Sequence, residues 1–417
     1  MDLNDLISKN RNGTRVGLPS FCTANGYVLE AILDFAAKRQ LPVLIEATCN
    51  QVNQEGGYTG MTPADFAAWL SQLVERSGLA EDRILLGGDH LGPNPWRQES
   101  AETALAKAEV LVRSYVEAGF TKTHLDASMA CGGEPRPSFD EVARRAARLC
   151  RIAEESAPDP NALVYVIGTE VPVPGGETEE MTGLQVTTPE RLDETIFTHR
   201  DAFRSEGIED AWGRVVSVVT QPGVDFSHSS VHQFDPDGAR ELVTAIGRHN
   251  GLTFEGHSTD YQPTSSLAEL VSRHVFFLKV GPELTFRFRE AIFALAAIEE
   301  RLYPSVRSGI VAALDDAMDR NPGDWQSYYE GPHAEVAVLR HFSLSDRVRY
   351  YWQETEVRSA LDRLFTNLSN VTIPQGLITQ FFGNLEFGEL PESNASLCAG
   401  HIQRAVSRYY TACGWDV

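Results

Sequence analysis

The chain has 417 residues, of which 42% are hydrophobic and 23% charged, with a formal net charge of −22. That is ample apolar content for the core of a large α/β domain, whereas so acidic a chain excludes a nucleic-acid backbone as partner, since phosphates demand a basic face. No apolar run approaches the ~18 residues of a membrane span, and the opening "MDLNDLISKNRNG" lacks the apolar centre of a signal peptide, so a cytoplasmic protein away from membranes is expected.

Strand-like and helix-like segments alternate through the first 300 residues. The expected strands are "TRVGLPSFC" (14–22), "PVLIEATC" (42–49), "RILLGGDH" (83–90), "KTHLDAS" (122–128), "LVYVIGTEV" (163–171), "VVSVVTQ" (215–221), "LTFEGH" (252–257) and "VFFLKVG" (275–281). Between them, apolar residues recur at helical spacing. Residues 98–118 form one such stretch, and 139–155 another, where Ser138 precedes Glu141 by three positions as in a capping box. Nearly continuous apolar strands covered by amphipathic helices indicate a parallel sheet. Eight strand–helix units favour a (β/α)8 barrel over an open doubly wound sheet, and no GxGxxG follows the first strand. Beyond 302 the pattern becomes helical, with segments 305–320, 333–341, 354–368 and 395–413 and a break near 320–332. The expected organisation is a barrel over 1–302 and a helical C-terminal extension over 303–417. Six cysteines scattered without CxxC spacing read as free thiols.

A (β/α)8 barrel builds its site at the carboxyl ends of the strands. Those ends carry Glu46, Asn50 and Asn53 on the second strand, Asp89 and His90 on the third, and His124, Asp126 and Ser128 on the fourth. Thr169 and Glu170 end the fifth, Gln221 the sixth, Glu255, His257, Ser258 and Asp260 the seventh, and Lys279 the eighth. An unpaired buried carboxylate costs several kcal/mol, so this ring calls for mutual partners, a metal or a substrate. His90, Glu170 and His257 offer two imidazoles and a carboxylate from three strands, a set suited to Zn²⁺, with Mn²⁺ or another transition ion as alternatives. Asp89 and His90 alone would equally serve as a helix cap and a loop hydrogen bond. Lys279, Arg287 and Arg289 stand where barrel enzymes commonly hold phosphate; the two arginines would equally pair with Glu283 or Glu290 on a solvated helix. Gly-rich "NQEGGYTG" (53–60) reads as an anion cradle or a surface loop.

The stretches "IEATCNQVNQEGGYTGMTP", "GGDHLGPNPW", "THLDASMACGG", "IGTEVPVPGG", "EGHSTDYQ" and "LKVGPELTFRFREA" together resemble the GatZ/KbaZ family, over nearly the whole chain. Its members are described as non-catalytic, stabilising subunits of class II D-tagatose-1,6-bisphosphate aldolase and often labelled tagatose 6-phosphate kinases. The family is itself similar to the catalytic class II aldolases, which are zinc-dependent TIM barrels. By that resemblance His90 is a metal ligand and Asp89 a proton donor, His257 lies on another metal-binding strand, and Lys279 stands on the phosphate side. One departure appears: where class II aldolases carry "GT-x-HG" on the fifth strand, this chain has "IGTEVP", with Glu170 at or beside the position of the missing imidazole. A P-loop is absent. Related proteins include metal-dependent ketose 4-epimerases.

The function expected from these residues and that resemblance is retro-aldol/aldol epimerisation at C4 of a ketohexose phosphate, foremost D-tagatose 6-phosphate to D-fructose 6-phosphate in galactitol and tagatose catabolism. Asp89, Asp126 or Glu255 would act as base, and Asn50, Gln221, Ser258, Asp260, Lys279, Arg287 and Arg289 would bind substrate and its phosphate. The rival expectation is a non-catalytic subunit that stabilises a separate aldolase chain; a homo-oligomer is a further possible assembly.

Overall fold

Eight parallel strands close into one barrel in the computed structural model, which describes residues 2–170, 184–369, 371–383 and 393–417. The strands are β1 (Leu18–Cys22), β2 (Val43–Thr48), β3 (Ile84–Leu91), β4 (Lys122–Leu125), β5 (Val164–Gly168), β6 (Val215–Thr220), β7 (Thr253–Gly256) and β8 (Val275–Val280), with β1 pairing both β2 and β8. The (β/α)8 expectation therefore holds, and each strand is shorter than its apolar run or equal to it. The predicted fifth strand extends to 171, which lies outside the described residues, as does the remainder of "VPVPGG".

Helices α1 (Leu3–Arg11), α2 (Gly26–Arg39), α3 (Pro63–Ser77), α4 (Ala101–Glu117), α5 (Phe139–Ser156), α6 (Pro189–Ser205), α7 (Arg240–Ile246), α8 (Thr264–Ser272) and α9 (Pro282–Leu302) belong to the barrel half of the chain. Their starts obey local chemistry. Ser100 and Ser138 accept the N–H of Thr103 and Glu141, each satisfying a donor that the first turn leaves without a partner. Only half of the expected box at Ser138 forms, because Glu141 turns to Arg145 at 2.6 Å. The complete reciprocal box is at Thr62 and Asp65, with Pro63 at the first helical position.

After α9 come α10 (Ile310–Arg320), α11 (His333–Phe342), α12 (Thr355–Leu368), α13 (Gln375–Phe382) and α14 (Asn394–Ala412). The last of these packs on α2, α8 and α9. The Tyr410 hydroxyl donates to Pro42 O at 2.8 Å, and the Gly17 N–H donates to Cys413 O at 3.0 Å. The chain's end is thus a stave of the barrel's outer wall.

Inside the barrel two layers differ. At the amino-terminal end Leu18, Leu44, Val216, Phe276 and Phe277 pack with Ile7 of α1, which plugs the base. One pleat further along, Leu44 gives way to Glu46 and Phe277 to Lys279, both inward by the two-residue period of a strand.

Candidate metal centre and the charged layer beneath it

Strand β3 carries the first site residues, and it does so by breaking its own regularity. Successive residues of a strand face opposite ways, yet Asp89 and His90 both reach inward. The β3–β4 register shifts between Gly88 and Leu91, and His90 adopts φ +48°, a left-handed conformation costing roughly 1–2 kcal/mol for such a residue. The His90 N–H donates to Asp89 Oδ1 at 2.9 Å and so holds the bulge shut. Two glycines make room. A Cβ on Gly92 would stand 1.6 Å from Asp126 O, and one on Gly87 would lie 2.6 Å from the Glu46 carboxylate.

Strand β4 supplies Lys122 and His124, two residues apart and both inward. His124 Nδ1 lies 2.8 Å from Asp89 Oδ1. Strand β7 supplies Glu255, and His257 follows just past its end. The rings of His90, His124 and His257 form a near-equilateral triangle, with centroids 5.0, 4.9 and 5.1 Å apart. One ligand atom from each of these and one from Asp89 lie within 4.8 Å of one another. All four residues are buried.

Two of the imidazoles are steered from behind by carboxylates. Asp126 Oδ2 lies 2.9 Å from His90 Nδ1, while its Oδ1 accepts the N–H and hydroxyl of Ser128. Glu255 Oε1 lies 3.0 Å from His257 Nε2. Such partners fix the tautomer and aim of a metal-binding ring.

Beneath the triangle is a fully enclosed ionic layer. Lys122 Nζ bridges Glu46 and Glu255, the latter at 2.6 Å. Lys279 Nζ meets Glu46, Asp89 at 2.8 Å and Glu255 at 3.4 Å. Burial works against every charge here, but the partners outweigh it. His90, Lys279 and the hydrogen bond from His124 hold the Asp89 carboxyl well below the usual range, and Lys122 and Lys279 do the same for Glu255. Asp89, with Cys22, Glu255 and Glu46, holds Lys279 well above the ordinary lysine value. Burial lowers His257 to about 3, so this imidazole is neutral; His90 is raised by Asp89 and Asp126 despite its burial.

The donor set fits a divalent cation on two observations. The Nε2 of His124 is buried with no hydrogen-bond partner among the described residues. The four carboxylates of Glu46, Asp89, Asp126 and Glu255 outnumber the two ammonium groups, Lys122 and Lys279, by two in a buried volume. A dication cancels that difference, and a buried charge excess is otherwise costly.

A cavity opens above the cluster, lined by Asp89, His90, His257 and Lys279, by Asn50, Ser258 and Asp260, and by Arg349, Tyr350, Trp352 and Gln353 from beyond α11. Several expectations need correction. Glu170 is not in the cluster: it lies beyond the end of β5 and its Oε1 pairs with Arg191 at 2.7 Å. The third imidazole is His124 on β4. Arg287 pairs with Glu283 and Glu290 along its own helix. Arg289 is buried among Phe286, Phe293 and Phe342, its guanidinium carbon 4.2, 5.5 and 5.2 Å from their rings. Neither arginine lines the cavity. Gln221 turns onto its own loop, where Oε1 accepts the N–H groups of Gly223 and Val224. Asp260 does line the cavity, but its Oδ1 accepts the N–H groups of Gly281 and Glu283, occupying the helix start where a phosphate would otherwise sit. Burial raises that carboxyl to about 7 against those two bonds. The "NQEGGYTG" loop is anchored at the cavity wall: Tyr58 and Thr59 line the cavity, and Tyr58 packs edge-on against Tyr350 at 4.7 Å.

Sequence reasoning had Lys122 and His124 in view on the fourth strand without assigning them, although their two-residue spacing put both on one face. Arg349 gave no sequence signal.

A family model described as "D-tagatose-1,6-bisphosphate aldolase subunit GatZ/KbaZ-like" matches residues 3–414. Among solved structures, a probable tagatose 6 phosphate kinase from Sinorhizobium meliloti 1021 superposes with a TM-score of 0.88 at 42% identity, over 95% of this chain and 100% of that one. A fructose-bisphosphate aldolase from Campylobacter jejuni gives a TM-score of 0.46 at 14% identity, over 87% of this chain and 90% of that one.

Proposed function

The chain belongs to the GatZ/KbaZ-like family, and from that premise we propose that it is a metal-dependent 4-epimerase of a ketohexose phosphate, with D-tagatose 6-phosphate to D-fructose 6-phosphate as the leading reaction. The observation that carries this reading is the triangle of His90, His124 and His257 beside Asp89, steered by Asp126 and Glu255 and opening to a cavity. A purely supporting barrel has no use for an inward imidazole with a bare nitrogen.

His90, His124 and His257 would hold the ion, which when bound supplies Lewis acidity toward the oxygens of a ketose; Zn²⁺ suits three imidazoles, and Mn²⁺ is the alternative. The remaining work falls to side chains. Asp89 is the base: it lines the cavity, and its depressed pKa keeps it ionised near neutrality. It takes the proton from the C4 hydroxyl as the C3–C4 bond breaks, leaving an aldehyde at C4 and the electron pair on C3, delocalised into the C2 carbonyl. The aldehyde turns over, C3 attacks its other face, and Asp89 returns the proton to O4. Lys279, 2.8 Å from Asp89, holds the base in place. Asp126 and Glu255, which do not line the cavity, are positioning groups. Asn50 and Ser258 line it and would meet sugar hydroxyls.

Purified protein supplied with Zn²⁺ or Mn²⁺ should convert tagatose 6-phosphate to fructose 6-phosphate without nucleotide or nicotinamide; no conversion under any divalent ion defeats the reading. The family description names an aldolase subunit, which suggests one rival: a chain that turns over nothing and stabilises a separate aldolase chain. That rival predicts no turnover together with a raised melting temperature of the partner. Triose release in a coupled dehydrogenase assay would point to aldolase activity instead. A kinase is disfavoured, because no GxxxxGK[ST] occurs in the sequence.

A further inference from the structure

The cavity's charges are unevenly matched. Lys279, at its floor, is saturated by three carboxylates. Arg349, at its roof, is not. Its Nη1 donates to the backbone carbonyls of Ser345 and Asp346, and its Nη2 to the Tyr350 hydroxyl at 2.9 Å. The Tyr350 ring lies 4.6 Å from the guanidinium carbon. Among the described residues no carboxylate lies within ion-pair distance of it. In a chain where 58 acidic side chains outnumber 36 basic ones, a half-buried arginine at a cavity wall, bonded only to neutral acceptors, has its charge left for an anion to pair with, because a buried charge without an ion pair is costly.

Asp346 attracts Arg349 through space but makes no ion pair with it. The Asp346 carboxylate turns to the Thr285 hydroxyl at 2.6 Å, and burial raises it to about 7, with Arg289, that hydroxyl and Arg349 opposing. Asp260 is bound to backbone N–H groups. What shares the cavity with Arg349 is a set of neutral polar side chains, Asn25, Tyr58 and Gln353. A guanidinium fork among hydroxyls and amides is the arrangement that binds phosphate or carboxylate. The expected phosphate ligands Arg287 and Arg289 face elsewhere.

We propose that Arg349, carried into the barrel mouth by the segment between α11 and α12, binds the anionic terminus of the substrate and selects a phosphorylated or carboxylated ketose over a neutral one. This inference rests on the ketose reading of the same cavity. It gives the C-terminal region a part in recognition: a sugar is gripped by the barrel at its reacting carbons and by the extension at its far end.

The test is calorimetric titration of the full chain with inorganic phosphate, D-tagatose 6-phosphate, D-tagaturonate and D-tagatose, with turnover measured alongside. Arg349→Gln should weaken binding of the phosphate ligands or of the uronate on the order of 10–100-fold, the worth of a charge-assisted pair. The same change should leave D-tagatose within threefold. Arg349→Lys, which keeps the charge and loses the fork, should fall between. Loss confined to phosphate ligands identifies a phosphate as the terminus, and loss confined to the uronate identifies a carboxylate. Should Arg349→Gln fail to fold, Arg349→Lys decides alone by the same contrast. Anion binding unchanged in the variants, an equal loss for D-tagatose, or no anion bound by the parent chain overturns the proposal. Arg349-dependent anion binding without epimerisation of any ketose defeats the catalytic reading and leaves this one standing.

Discussion

The two ends of the barrel interior are built from the same strands and answer to opposite physics. At the base, Leu18, Leu44, Val216 and Phe277 close against Ile7 in a dry apolar plug. A single pleat above, Glu46, Lys122, Glu255 and Lys279 form an ionic layer as fully enclosed as the plug, and above that stand the imidazoles. The Lys122 ammonium, 4.9 Å from the Phe277 ring centre, marks the seam. The plug is needed only for stability, and hydrophobic residues would fill the upper layer at least as well. Charges were placed there because something above them needs a fixed, water-free field.

The comparison makes its largest prediction at the triangle. His124→Ala should cut kcat on the order of 10³-fold or more, since it removes a proposed ligand of the ion rather than a supporting group, and should cost the ion-free protein about 1–3 kcal/mol through the lost bond to Asp89; activity assays beside thermal melts check both. Within the layers, Lys122→Met leaves Glu46 and Glu255 to share Lys279 with Asp89 and should cost about 3–5 kcal/mol in denaturant titrations. Leu44→Ala, one layer down, should cost about 2–5 kcal/mol by leaving a cavity. The two diverge in activity: the folded fraction of Leu44→Ala keeps its kcat within about threefold, whereas Lys122→Met loses it as well.

Asp346 sharpens the comparison as a buried acid without a bound cation. Its carboxyl is raised to about 7, from an unfolded value of about 4. Below pH 4 both states hold the proton and the group costs nothing; between pH 4 and 7 the unfolded chain releases it first, so stability falls as pH rises. Asp346→Asn, which suits the left-handed φ of +46°, should therefore gain about 2–4 kcal/mol at pH 8 and almost nothing at pH 4. Stability curves at the two pH values check it. The smallest effect belongs to Arg287→Gln, expected to leave phosphate affinity within about twofold because that side chain is engaged with Glu283 and Glu290.

Strand positions were readable from the sequence because a parallel sheet buried on both faces needs uninterrupted apolar runs, and the eight runs gave the eight staves. Site residues at the strand ends were readable in part, for the same reason that polar residues there serve no packing purpose. Asp89, His90 and His257 were found this way. His124 was passed over for Glu170, which stands at the end of the fifth strand's apolar run; only the register of β4 against β3 brings the His124 ring to Asp89. The bulge at His90 depends on a backbone angle that composition does not betray. Arg349 is a contact across more than 200 residues of chain, set by how the C-terminal region folds back over the mouth, and no local pattern encodes it.

The central claim is that His90, His124 and His257 close around one ion. Titrating the metal-stripped protein with Co²⁺ and following its visible absorption tests it directly. The account predicts one equivalent bound with a tetrahedral-type spectrum, abolished in His124→Ala and kept in Glu170→Gln. Binding that survives His124→Ala, or that vanishes with Glu170→Gln, would contradict it.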